Sequence, residues 1–146
     1  MKQRSMIKYF FFLFFVLAIK THAQNAVNWT PEQLIEPITL ATTITKQKDI
    51  PLVISVGPGA VIPNSLNAGI ANTKEGIEKL KEQLQNVDRN KKVVIYCGCC
   101  PFEHCPNVRP AIDVLKEMKF TNYYLLDLPH NIKKDWIDKG YPVSKS

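Results

Sequence analysis

Three short apolar runs constrain this chain more than any other feature of its sequence. They are Leu52-Val53-Ile54-Ser55-Val56, Val93-Val94-Ile95-Tyr96 and the stretch from Tyr123 to Leu128. None alternates in the way of a strand with one wetted face. A strand apolar on both faces belongs in a parallel sheet covered by helices. The intervening segments have helical length and spacing. Ile77, Leu80, Leu84 and Val87 share one face behind Asn72 or Thr73 as a cap. Val108, Ala111, Ile112, Leu115 and Met118 recur at helical spacing behind Asn107. Asn131 opens a last short helix with Trp136 and Ile137, ending at Gly140. Ahead of the first run, Thr30-Pro31-Glu32-Gln33 reads as a helix start, and Pro37 breaks or restarts a helix running toward Thr45. The expected fold is α/β, a small parallel sheet with helices on both faces.

The N-terminal residues read differently. Three positive charges fall in residues 2–8, Phe10 to Ile19 is an unbroken apolar run, and Thr21-His22-Ala23 supplies a small residue before a cut. This is the tripartite pattern of a secretory signal peptide. Its ten apolar residues fall short of the ~20 that span a bilayer. The expected organisation is a signal peptide at 1–23, an N-terminal helical segment at 24–49 and the main domain at 50–143. The mature chain is expected to be exported, periplasmic or secreted, with no stable membrane insertion after cleavage, and monomeric.

Charge excludes one class of partner. The chain carries 19 basic and 13 acidic side chains, a net +6. Lys2, Arg4, Lys8 and Lys20 precede residue 24 with no acid among them, which leaves 15 against 13. No concentrated basic footprint remains, so nucleic acid is not expected to bind.

The four cysteines, Cys97, Cys99, Cys100 and Cys105, all fall within nine residues. Export favours disulfides, but a stabilising framework would close long loops, and these can close only tiny ones. The cluster is better read as a chemical site. It follows a buried strand directly and precedes a helix. In α/β folds ligands bind beyond the carboxyl ends of the strands. There the unpaired N–H groups and the dipole of the next helix favour an anion. A cysteine so placed has a stabilised thiolate and becomes a nucleophile. Cys97 ends the strand and is the best anchored of the four. Gly98 leaves room for a ligand to approach the backbone.

Three stretches together resemble the rhodanese-like sulfurtransferases. V-V-I-Y-C at residues 93–97 looks like that family's strand and nucleophile. V-R-P-A-I-D-V-L-K-E-M-K-F followed by T-N-Y-Y-L-L-D-L is similar to its next helix, turn and strand. W-I-D-K-G-Y-P-V at residues 136–143 resembles its closing Trp, Gly and Pro-Val pattern. The resemblance covers roughly residues 50–143, with a weaker match back to Trp29. It departs in two places. Arg109 lies twelve residues after Cys97, where the family's loop has four residues between Cys and Arg. Residues 55–68, S-V-G-P-G-A-V-I-P-N-S-L-N-A, replace the family's Asp, Arg and Gly-His-Ile-Pro features.

The resemblance implies a small parallel-sheet domain that moves sulfur in two steps through a Cys97 persulfide. The partners it implies are a small sulfur-containing anion as donor and a thiol or cyanide as acceptor. It requires no metal or organic cofactor. N–H groups from Gly98 onward would cradle the persulfide, and Arg109 or His104 would attract an anionic donor.

Other readings of the same residues stand beside it. Cys97, Cys99, Cys100, Cys105 and His104 include the ligand types of a Zn²⁺ or Cu⁺ site. Cys105 could resolve Cys97 in thiol–disulfide exchange. His104 could be a solvated loop residue, and Arg109 could pair with Asp113 one helical turn on. The long separation of Arg109 from Cys97 argues against a tight phosphate cradle.

Overall fold

The computed structural model describes residues 29–145. The expected signal peptide lies outside the described residues. Among them, five strands form one all-parallel sheet: β1 (Leu34–Ile35), β2 (Leu52–Ser55), β3 (Leu66–Asn67), β4 (Val93–Tyr96) and β5 (Tyr123–Leu126). Their spatial order is β1-β5-β4-β2-β3. The three apolar runs are thus the adjacent central strands. Leu52 pairs with Val93 and Ser55 with Tyr96, while Val93 pairs with Tyr123 and Ile95 with Leu125. The helices are α1 (Pro37–Lys46), α2 (Lys74–Leu84), α3 (Val108–Glu117) and α4 (Ile132–Asp135).

The register sorts the strand residues onto two faces. Ile54, Val93, Ile95 and Leu125 pack with Leu80 and Leu84 of α2 and Val108, Ile112 and Leu115 of α3. Val53, Val94, Tyr96 and Leu126 pack with Leu40 and Ala41 of α1 and with Trp136 at the end of α4. The fold is therefore α/β with helices on both faces, as the apolar runs require. Each fully buried aliphatic side chain contributes about 1.5–3 kcal/mol relative to exposure.

Two edge strands were not expected. The Thr30-Pro31 helix start is a single 3₁₀ turn over Pro31–Gln33, after which the chain extends into β1. The turn closes on itself: the Gln33 N–H donates to the Thr30 carbonyl at 2.9 Å, and the Thr30 N–H donates to Gln33 Oε1 at 3.1 Å. Pro37 holds Glu36 extended, at φ −66° and ψ 142°, so no helix can run through 34–36 into α1. The freed backbone pairs with β5, Leu34 opposite Leu125. Thr73 and Asn131 do cap: their side chains accept from the N–H groups of Gly76 at 3.1 Å and Lys134 at 2.9 Å.

The carboxyl ends of β2, β4 and β5 open into three loops that are fastened together. The Tyr96 hydroxyl accepts from the N–H groups of Val61 at 2.9 Å and Ile62 at 3.3 Å. The Ile132 N–H donates to the Gly98 carbonyl at 2.9 Å, and the Phe102 N–H to the Leu128 carbonyl at 3.1 Å. Ser144, near the end of the chain, donates its N–H to the Val61 carbonyl at 2.8 Å. The cysteine loop is thereby held on a rigid rim.

Candidate functional site

Cys97 follows β4 directly, and its side chain turns toward the α2/α3 face, where it is 5% exposed. Cys105 is also buried, Cys100 half-buried and Cys99 exposed, and all four are free thiols. Their Sγ atoms lie within 4.8 Å of one another. Cys97 and Cys99 are 3.1 Å apart and Cys99 and Cys100 3.4 Å. These are contacts rather than bonds, since a disulfide measures about 2.05 Å.

Donors converge on the Cys97 sulfur. The Cys105 thiol is the strongest, followed by Asn107 Nδ2 at 3.4 Å and then the backbone N–H and thiol of Cys99. Burial opposes them but loses, and the Cys97 pKa falls from 9.0 to about 5. The neighbours move the other way. Burial and then Cys97 push Cys99 up to about 12. Its hydrogen bond to Cys97, then burial, pushes Cys105 up as well. Of the three, Cys97 is the one whose thiolate is favoured, with the Cys105 and Cys99 thiols donating to it.

Asn107 departs from its expected role. Its backbone, at φ −84° and ψ −26°, is already helical, so its side chain makes no cap. Instead Oδ1 accepts from the Asn72 N–H at 3.1 Å and Nδ2 points at Cys97. The amide is oriented by one neighbour to serve another. Because Asn107 immediately precedes α3, its contact also sets the thiolate beside that helix's first turn, where an anion is favoured.

Glycines make the space. A Cβ on Gly57 would press on the Cys97 carbonyl and lie 2.9 Å from its Sγ. Gly98 has φ +86°, a conformation that favours glycine, and a Cβ there would lie 3.0 Å from Ile132 Cβ. Gly98 therefore lets the loop turn sharply against α4.

His104 lies outside the group of four convergent cysteines. It is exposed in a 3₁₀ turn, Phe102–His104. Arg109 lines a cavity of about 190 Å³ with Trp29, Gln33, Ile112, Asp113 and Lys116. Gly57 carries no signal of its role in the sequence, and Asn107 has the chemistry of a cap but not the backbone of one. G-P-G at residues 57–59 looks like loop punctuation, and only the closure of the β2 loop onto β4 reveals the contact. The chain matches no protein-family model and no curated protein.

Proposed function

We propose that this chain is a sulfurtransferase that carries a sulfane sulfur on Cys97. The observation that carries this reading is the buried Cys97 sulfur at the end of β4, with the donors of Cys105, Asn107 and Cys99 directed at it. The Cys97 thiolate attacks the outer sulfur of a thiosulfate-like donor. A new S–S bond forms, the donor's S–S bond breaks, and its electron pair leaves with sulfite. The resulting persulfide is an anion in the same cradle. A thiol or cyanide then takes the outer sulfur and returns the Cys97 thiolate. Neither step needs an oxidant, a metal or an organic cofactor. Because Cys97 is 5% exposed, its donor is a small molecule or a thin persulfide tail. Export of the mature chain from residue 24 is part of this reading, and N-terminal determination of the product checks it.

Intact-mass analysis after exposure to thiosulfate tests the chemistry. A gain of one sulfur, removed by cyanide and absent in Cys97→Ala, is the expected result. An unchanged mass together with no thiocyanate formed would refute the reading.

The 3.1 Å contact of Cys97 with Cys99 favours a second reading, thiol–disulfide exchange. The Cys97 thiolate would attack a disulfide of another molecule. Cys105, the resolving cysteine expected from the sequence, or Cys99 beside it would then displace that molecule as a thiol from the mixed disulfide. A loss of two hydrogens that reductant reverses, with no gain of sulfur, would select this reading.

A further inference from the structure

We infer that the four cysteines form a binding site for one soft closed-shell cation, Zn²⁺ or Cu⁺, and that an ion there competes with sulfur transfer for Cys97. The first half rests on the sulfur geometry alone, whereas the competition rests on the sulfurtransferase reading.

Four thiolates around one metal at about 2.3 Å place their sulfurs about 3.8 Å apart. Here the contacts of 3.1 and 3.4 Å and the limit of 4.8 Å bracket that value. Shifts of about an ångström or less would close the tetrahedron. The donor set is sulfur only, which selects thiophilic ions and rejects Mg²⁺ and Ca²⁺. His104 is exposed and outside this convergent group. The surroundings also suit a metal thiolate. Asn107 Nδ2 and the Cys99 N–H already donate to sulfur, as outer-shell partners of ligating atoms do. The start of α3 favours the negative charge that a four-thiolate complex carries. Two ligands, Cys97 and Cys105, are buried and fix the position. Cys99, exposed, and Cys100, half-buried, give an ion its route from solvent. Each thiol that ligates releases its proton to solvent. An ion on Cys97 draws electron density from its sulfur and crowds the approach of a donor, so a loaded site is a poorer nucleophile toward a sulfane sulfur.

The test titrates the full chain, reduced and freed of metal, with Zn²⁺ and, under anaerobic conditions, with Cu⁺. Native mass spectrometry reads the stoichiometry, and Co²⁺ serves as a spectroscopic probe of tetrahedral thiolate ligation. One ion per chain is expected. Cys99→Ser alters an exposed position, and Cys100→Ser a half-buried one at the edge of the core, so the fold of each variant is checked by its melting temperature. Each should weaken Zn²⁺ by more than the ~10–100-fold that loss of an outer-shell partner costs, whereas Asn107→Ala should fall within that range. His104→Ala should change nothing. If Zn²⁺ is the ion, every one of the four serines weakens it. If Cu⁺ is the ion, it binds more tightly than Zn²⁺ and tolerates loss of one sulfur. Retention of neither ion would overturn the inference, as would affinity that follows His104 rather than the cysteines. Stoichiometric ion should also slow persulfide formation, and a chelator should restore it. A chain that transfers sulfur but binds no ion leaves the proposed function standing without this site. A chain that binds an ion but transfers no sulfur when metal-free leaves the site standing alone.

Discussion

At the amino ends of the strands, Leu40, Thr43, Lys46, Pro51 and Lys92 help line a cavity of about 530 Å³. At the carboxyl ends, four sulfurs crowd within 4.8 Å. The first rim has volume, lysines and threonines, but no cysteine or histidine in its lining. The second gathers four free thiols, and several donors converge on the sulfur of one of them. The difference teaches that a hollow and a cluster of chemical groups are set by different ends of the same sheet. Reactivity comes from fixed dipoles aimed at one atom, which need no reorganisation when charge develops there. Both rims belong to the same sheet. The loops at the carboxyl ends bring three chain segments together there.

The comparison breaks most readily at Cys97. Cys97→Ala should abolish sulfur transfer, a fall of at least ~10²-fold, because even a nucleophile misplaced by ~1 Å costs that much. Rates for the four single alanine variants would decide, and full activity in Cys97→Ala would move the nucleophile along the loop. Gly57→Ala should come next. Its new Cβ would push on Cys97 from the β2 loop. A loss of ~10–10²-fold in rate is expected, with ~1–3 kcal/mol of stability lost to overpacking. A variant equally active and equally stable would show that the loop yields without moving the sulfur.

Acidity sharpens the same contrast. The Cys97 pKa is lowered in the folded chain from 9.0 to about 5. Between those values the unfolded chain binds the proton and the native chain does not. The thiolate's contribution to stability is therefore full above about pH 9 and is lost as pH falls through about 5. Alkylation of Cys97 should rise with a midpoint near pH 5. Cys99, though more exposed, should react only at much higher pH, since its thiol is pushed up to about 12. Peptide mapping after brief iodoacetamide treatment at neutral pH checks this, and Cys99 labelled ahead of Cys97 would reverse the assignment. Asn107→Ala removes one donor of the set. A hydrogen bond to a charged group is worth ~1.5–3 kcal/mol, so the rate at pH 6 should fall by ~10-fold. The alkylation midpoint should move upward. An unmoved midpoint would reduce Asn107 to a link between Asn72 and the loop.

Much of this molecule is legible in its sequence, for physical reasons that differ by region. The central strands announce themselves because both faces are buried, so every residue from Val93 to Tyr96 must be compatible with a core. Cys97 is legible as the first residue beyond such a strand. β1 and β3 are not, because two residues carry no periodicity and their pairing with β5 and β2 is decided by tertiary register. Asn107 carries a capping residue's chemistry, but its helical backbone turns the side chain to another use. Gly57 and Cys97 are forty residues apart in sequence, and only the parallel pairing of β2 with β4 brings them into contact.

The smallest effect belongs to the amino-end rim, and it is the one that tests whether the two rims are independent. The Lys92 ammonium lies 4.8 Å from the centre of the Tyr124 ring. Its backbone carbonyl accepts the Leu52 N–H at 2.9 Å, and that bond survives any side-chain change. Lys92→Ala therefore removes a cation–π contact worth about 0.5–1 kcal/mol at an accessible site. For a domain of this size the melting temperature should fall by ~2–5 °C. Sulfur transfer should stay within ~2-fold, as for a surface change remote from the reacting atom. Tyr124 neighbours Val94 across β4 and β5, one residue before the pair Ile95 and Leu125. Routes from Lys92 to Cys97 run along β4 itself and along β2 with the loop after it, which meet Lys92 at Leu52 and Cys97 at Gly57. If Lys92→Ala kept its stability yet lost ~10-fold in rate, the paired strands would be transmitting strain from one rim to the other. The contrast between a passive hollow and an active cluster would then be a coupling between them.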